Sequence, residues 1–251
     1  MDLGLTDTVF IVTAASSGLG RASADALLAE GARVLVVARR EDALAAYQAE
    51  HGPARVAILP ADLSASDTGE RAAALAVETF GRLDGALVSV GGPARGGVLD
   101  NTDEQWTEAF DSVFLAALRV ARAVVAKGTE PVRLGFVLST SAKTPLPSMA
   151  ISNGLRPGLA VLVKQLADEL GPRGRTFGLM PGSIATERLQ YLYSQTPDPD
   201  AARAEAVTKI PAGRLGDPAE FGRVAAFLLS EAASYISGCI IPVDGGAMRA
   251  L

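Results

Sequence analysis

Gly18 and Gly20 follow Ser16 and Ser17 in the stretch TAASSGLG, Thr13 to Gly20, which carries almost no side-chain bulk. Backbone N–H groups in so bare a turn can approach a diphosphate closely, and the positive dipole end of a helix starting there adds to the attraction. Further along, Arg39 and Arg40 stand side by side. Guanidinium groups suit a phosphate monoester, which arginine can hold bidentately while stacking beside a base. A dinucleotide whose ribose lacks a phosphate would want an acid there, to accept from the ribose hydroxyls. The pattern therefore favours NADP over NAD. Two plainer readings compete: an ordinary strand-to-helix turn, and solvated arginines at a helix start.

These residues need elements to position them. Thr8 to Thr13 is apolar and β-branched enough for a strand buried on both faces, and Val34 to Val37 reads as the second strand of a βαβ unit. Beyond it, short apolar runs alternate with amphipathic stretches. Strands are expected near 8–13, 33–38, 55–59, 84–90, 132–139, 175–180 and 238–243, with helices near 18–30, 41–50, 67–80, 103–127, 153–170 and 217–230. Such alternation predicts an α/β fold: a single doubly wound, Rossmann-like domain over 1–251, with a seven-stranded parallel sheet and helices on both faces. The weakly patterned segment 184–213, with Pro197, Pro199, Pro211, Tyr191, Leu192 and Tyr193, follows a strand end on the ligand side. It reads either as a substrate lid or as a surface hairpin of helices.

Composition narrows the classes. The chain is 49% hydrophobic and 20% charged with a net charge of -5, which argues against nucleic acid as a partner. Its apolar runs are too short for a bilayer, and no charged leader precedes the first strand, so a cytoplasmic location without membrane association is expected. Cys239 and His51 are each the only residue of their kind, leaving no basis for a disulfide, a metal centre or a serine-histidine triad.

Several segments carry a family resemblance: TAASSGLG at 13–20, ILPADL ending on Asp62 and Leu63, LVSVGGP at 87–93, PGSIAT at 181–186, and the ending IPAGRLGDPAEFGRVAAFLLSEAASYISGCIIPVDGG. Over roughly residues 6–247 the chain is similar to the short-chain dehydrogenase/reductase family, and resembles its 3-oxoacyl-carrier-protein reductases. Ala14 stands for the first glycine of the family turn, and Val88 and Ser89 stand for two asparagines. The resemblance implies that Thr13, Ser16, Ser17, Gly18, Leu19, Gly20, Arg39, Arg40, Asp62, Leu63, Gly91, Arg156, Pro181, Gly182, Ile184 and Thr186 line the cofactor site. Asp62 would lie near the adenine and Thr186 on the nicotinamide carboxamide. It further implies a homotetramer, built through the helices near 103–127 and 153–170 and through the last helix and strand.

Where the family's catalytic groups should fall, the sequence departs. Members use an asparagine, a serine and a Tyr-x-x-x-Lys pair; here those positions fall on Val113, Ser139, Ser152 and Arg156, with Thr140 and Ser141 as alternative registers for the serine. An aliphatic hydroxyl is far too weak an acid to replace tyrosine, and arginine keeps its proton, so the role implied for Arg156 is electrostatic. A plainer reading makes Ser152 a helix cap, with Pro157 in the first turn and Arg156 solvated. Tyr191, Tyr193, Lys143 or a water between Ser139 and Ser152 are the substitute proton donors. Two functions follow from the resemblance: an NADP-dependent oxidoreductase on a small carbonyl or alcohol substrate (a ketone, an aldehyde or a 3-oxoacyl thioester), or a catalytically impaired NADP(H) sensor or supporting subunit. Leu146, Met149, Leu189 and Leu192 are the apolar pocket candidates.

Overall fold

The computed structural model describes residues 2–250, so Met1 and Leu251, at the limits of the expected domain, lie outside it. Alternate residues of each inner strand enter opposite cores. In β1 (Val9–Thr13), Val9 and Ile11 face one cluster while Phe10 and Val12 face the other, and β2 (Arg33–Ala38) divides Leu35 and Val37 from Val34 and Val36 in the same way. A strand covered on both sides has no polar face, which is why these segments are apolar without alternation.

The remaining strands are β3 (Val56–Pro60), β4 (Gly85–Val88), β5 (Val132–Val137), β6 (Gly174–Pro181) and β7 (Cys239–Val243). All seven run parallel in the order β3-β2-β1-β4-β5-β6-β7, with Val9 opposite Arg33 and Phe10 opposite Gly85. The order reverses between β1 and β4, so a crevice opens at their carboxyl ends. Helices α1 (Gly18–Ala29) and α2 (Glu41–His51) cover one face, and α3 (Thr68–Phe80) begins the cover of the other.

The expected helix at 103–127 is interrupted. It divides into α4 (Asp103–Ala109), a π-helical segment at Phe110–Leu115, and α5 (Ala116–Lys127). One-turn π segments recur at functional sites and leave no trace in a hydrophobic period of 3.6. Helix α6 (Ala150–Leu170) starts earlier than its periodicity suggested. Ser152 is consequently inside the helix and buried, Met149 holds the cap position, and Pro157 lies beyond the first turn. The segment at 184–213 contains α7 (Glu187–Ser194) and α8 (Pro199–Thr208); α9 (Pro218–Leu229) then packs beside α1. Strands β4 and β5 end at Val88 and Val137, earlier than read from sequence; beyond them Ser89 N–H donates to the Thr13 hydroxyl and Leu138 N–H to the Leu179 carbonyl. Among the described residues no helix is long and apolar enough to cross a membrane.

Candidate active site

The crevice holds a cleft of about 810 Å³, within the usual range for cofactor pockets, lined from the ends of β1 to β4, the π-helical segment and α7. On the β1–β3 side the turn after β1 leads into α1, whose first amides have no partner within the helix. Ser17 occupies the cap position in extended backbone and makes no capping bond with its side chain. Gly18 takes φ +57, which glycine tolerates, and a Cβ on Gly20 would stand 2.6 Å from the Ala14 carbonyl oxygen. Ala14 itself is held at φ 50, a left-handed conformation that costs a residue with a Cβ roughly 1–2 kcal/mol. A cradle that is bare of side chains, amide-lined and at a helix N-terminus fits a diphosphate.

Arg40 braces this turn, donating to Ser16 Oγ at 3.2 Å and to the Ser16 carbonyl at 3.2 Å. Arg39 is left reaching outward: its side chain is 80% exposed, with only a 4.0 Å approach to Asp62. So loose a surface pair holds it weakly, and a phosphate can take its place. The Asp62 carboxyl accepts from the Ser64 N–H at 2.9 Å and hydroxyl at 2.8 Å; these bonds, ahead of Arg39, hold its pKa below the ordinary range. Ser16, Ser17, Arg39, Arg40, Asp62, Leu63 and Gly91 all line the cleft.

Thr13 lies beneath the turn. It is fully buried, and its hydroxyl donates to the Ser89 carbonyl at 2.5 Å while accepting from the Ser89 N–H at 2.8 Å, so it fixes the spacing of β1 and β4. Ile184 is likewise buried in the core, and a Cβ on the neighbouring Gly182 would meet Asp244. Thr186 caps α7 through its hydroxyl, accepting from Leu189 N–H at 3.3 Å, and its methyl lies 3.5 Å from where a Cβ on Gly18 would be. The loop after β6 thus faces the turn after β1, with room between them for little more than a methyl group.

The end of β5, whose residues are not part of that lining, is arranged differently. Ser139, half-buried in extended backbone, accepts from the Ser141 N–H at 3.1 Å, leaving its hydroxyl proton available. The hydroxyl that meets Ser152 belongs to Ser141 rather than Ser139: the two Oγ atoms are 2.9 Å apart and both residues are 3% exposed. One helical turn on, Arg156 is 5% exposed and is therefore not the solvated residue that a helix start would give. Its Nη1 donates to the Val137 carbonyl at 2.7 Å, whereas its Nε is buried with no partner. Burial, and then the nearby charge of Arg188, push its pKa down to about 10, which leaves it a cation at neutral pH.

Val113, in the π-helical segment, is buried and apolar. Tyr191 is 63% exposed and lines the cleft, Lys143 is exposed, and burial raises the pKa of Tyr193. Leu146, Met149, Leu189 and Leu192 are all half-buried. Two groups were not found by sequence reasoning. Asn153 accepts from Leu146 N–H at 3.0 Å and donates to its carbonyl at 2.9 Å, clamping the loop that carries the serines. Arg188 lines the cleft with its guanidinium against Gly92, where a Cβ would come within 2.4 Å of Nη2. Neither belongs to a recognisable spacing; only the position of Arg188 two residues beyond Thr186 could have flagged it.

Comparison with known proteins agrees with this architecture. A family model described as enoyl-(acyl carrier protein) reductase matches residues 13–248. The chain is 32% identical to L-rhamnose 1-dehydrogenase (NAD(P)(+)) of Azotobacter vinelandii, over 96% of this chain and 97% of that one. It superposes with a TM-score of 0.91 and 26% identity on L-sorbose reductase from Gluconobacter frateurii complexed with NADPH and L-sorbose, covering 100% of both chains. The same TM-score of 0.91, at 26% identity over 99% of this chain and 100% of the other, relates it to a short chain oxidoreductase from Pseudomonas aeruginosa described as containing an atypical catalytic center. With the match extending across the turn, the cleft and the C-terminal strand, the chain belongs to the short-chain dehydrogenase/reductase family, whose oxidoreductases work on nicotinamide coenzymes.

Proposed function

We propose that the protein is an NADP-dependent oxidoreductase that interconverts a carbonyl and an alcohol without the family's tyrosine. The observation that carries this reading is the pairing of an open, amide-lined turn with an exposed Arg39 beside a braced Arg40. The NADPH held by the sorbose reductase relative supports it. Ser16, Ser17, Gly18, Leu19 and Gly20 would cradle the diphosphate and Arg39 with Arg40 the 2′-phosphate. Asp62, Leu63, Gly91, Pro181, Gly182 and Thr186 would line the rest, with Thr13 and Ile184 supporting them from below.

A nicotinamide coenzyme held there would supply the hydride for the carbonyl carbon; the chain's residues do the remainder. Ser139 donates its free hydroxyl proton as a hydrogen bond to the substrate oxygen and so polarises it. Arg156 stabilises the alkoxide that develops, its single bond to Val137 keeping the guanidinium in place. Ser152, committed to Ser141, holds that serine and with it the backbone of the loop. The proton that completes the alcohol comes from water or from Tyr191, which lines the cleft. Positioning donor and acceptor can supply about 7–11 kcal/mol of the barrier and general acid catalysis only about 3–5, so turnover survives the loss of tyrosine at a reduced rate.

Helix α7 is read as a lid and the assembly as a homotetramer. The partly exposed Phe110, stacked on Phe114, and the 66% exposed Val161 support an interface through the π-helical segment and α6. A cytoplasmic location completes the reading.

Steady-state assays with NADPH and a carbonyl panel test it: turnover that disappears in Ser139→Ala and in Arg156→Ala is expected, and none with any substrate would reject it. The closed Ser141–Ser152 pair favours one second reading, an NADP(H) sensor or supporting subunit that binds without reacting. The double change Ser152→Tyr with Arg156→Lys separates the two. Carbonyl reduction gained from nothing supports the sensor, and loss of an existing activity supports the altered enzyme.

A further inference from the structure

We infer that Arg188 is a coenzyme-binding residue, closing the diphosphate cradle from the α7 side; this rests on the coenzyme reading above. Its guanidinium lines the cleft and lies against Gly92, where a Cβ would stand 2.4 Å from Nη2 and 2.6 Å from Cζ. Gly92 is not held in the left-handed conformation that demands glycine, so what a side chain there would displace is the arginine. Among the described residues no hydrogen bond or ion pair engages Arg188, and Glu187 beside it on the helix is not its partner either. An arginine laid over bare backbone, with its donors turned to the cleft rather than to protein, suits bidentate contact with an oxyanion.

The sheet fixes what that guanidinium can reach. Strands β1 and β4 pair directly, about 4.8 Å apart, so the turn carrying Ser16 and Ser17 and the segment Gly91–Gly92 are the two lips of one crevice. The first turn of α7 stands across both. Thr186 faces Gly18, its methyl 3.5 Å from where a Cβ there would be, and Arg188 covers Gly92. A diphosphate held on the first amides of α1 lies between those lips. The 2′-phosphate end of the coenzyme belongs to the end of β2, on the opposite side of β1.

Charge gives the reason for the contact. Each phosphate of the diphosphate stays ionised at neutral pH, whereas the N-terminus of α1 opposes them with only about half a positive charge. No side chain of the turn makes up the difference: Arg40 is bonded to Ser16, and Arg39 reaches outward from the end of β2 beside Asp62. Glu108 and Asp111 stand on the side of α4 and the π-helical segment, with Asp111 held by Arg119 at 2.8 Å. Among the described residues that line the cleft, Arg188 is thus the cation with no partner in the protein. Because the diphosphate is common to both nicotinamide coenzymes, this contact favours neither, unlike the one at Arg39.

The experiment titrates the full chain by calorimetry with NADPH, with NADH and with adenosine 2′-phosphate, which lacks the diphosphate. Thermal denaturation of the coenzyme-free protein runs alongside. In Arg188→Gln, NADPH and NADH should both weaken about ten- to a hundredfold, the size of one charge-assisted bond, while adenosine 2′-phosphate binding and the melting temperature stay unchanged. Arg188→Lys should restore part of the affinity, since it returns the charge without the fork. Unaltered NADPH binding in Arg188→Gln, a loss confined to NADPH, an equal loss for adenosine 2′-phosphate, or a lowered melting temperature would each overturn the assignment. A failure of NADPH to bind the unaltered chain would instead overturn the coenzyme reading beneath it.

Discussion

Two pairs of arginines occupy opposite ends of the same strands. Arg133 and Arg175, second residues of β5 and β6, are 6% and 8% exposed at the amino ends. Arg133 donates to the Leu229 carbonyl at 3.1 Å and pairs with Glu231; Arg175 donates to the carbonyls of Leu228 and Ser230. They gather the final carbonyls of α9, where the helix dipole is negative. At the carboxyl ends, Arg156 and Arg188 have one such bond between them. Burial drives the pKa of Arg175 and of Arg156 down to the same value, about 10. Burial and pKa are thus alike for Arg175 and Arg156; the completeness of their hydrogen bonding is what separates them.

The contrast is sharpest in stability. Arg175→Met should cost about 2–4 kcal/mol by leaving buried carbonyls at the end of α9 unpaired, read as a lower urea midpoint. Arg156→Met should cost under about 1 kcal/mol, or stabilise, since it removes an incompletely satisfied charge. Equal losses would break the comparison. Next in size, Arg39→Ala should weaken NADPH about 10- to 100-fold and leave NADH unaltered in fluorescence titration, whereas Arg40→Ala should weaken both by loosening the turn at Ser16. Ser141→Ala and Ser152→Ala should each cost about 1 kcal/mol, and their double variant less than the sum, as thermal denaturation would show if the hydroxyls serve each other. Smallest is Ala14→Gly. Relief of the left-handed backbone, partly offset by the entropy of glycine in the unfolded chain, should raise stability by about 0.5 kcal/mol.

What could be read from the sequence divides unevenly. The strands and the turn after β1 were legible, because a strand with two buried faces must be apolar and a diphosphate cradle must be bare. The break at Phe110–Leu115 and the early start of α6 were not, since one altered turn barely changes a helical period. Ser139, Ser152 and Arg156 were located by counting along the catalytic pattern of the family that the chain resembles. Spacing could not tell that Ser141 would take the partnership with Ser152, because the short 3-10 turn at Thr140–Ala142 rotates it inward. Arg188 was invisible for a similar reason: its place against Gly92 depends on how α7 leaves the sheet.

The Thr186 methyl faces the turn at Gly18 across a gap that one added methyl group would fill. A coenzyme entering that turn presses on the residue that starts α7, and α7 carries Arg188. On the proposed reading the dinucleotide is expected to load first and leave last, with product-inhibition patterns of a compulsory sequence rather than of random addition.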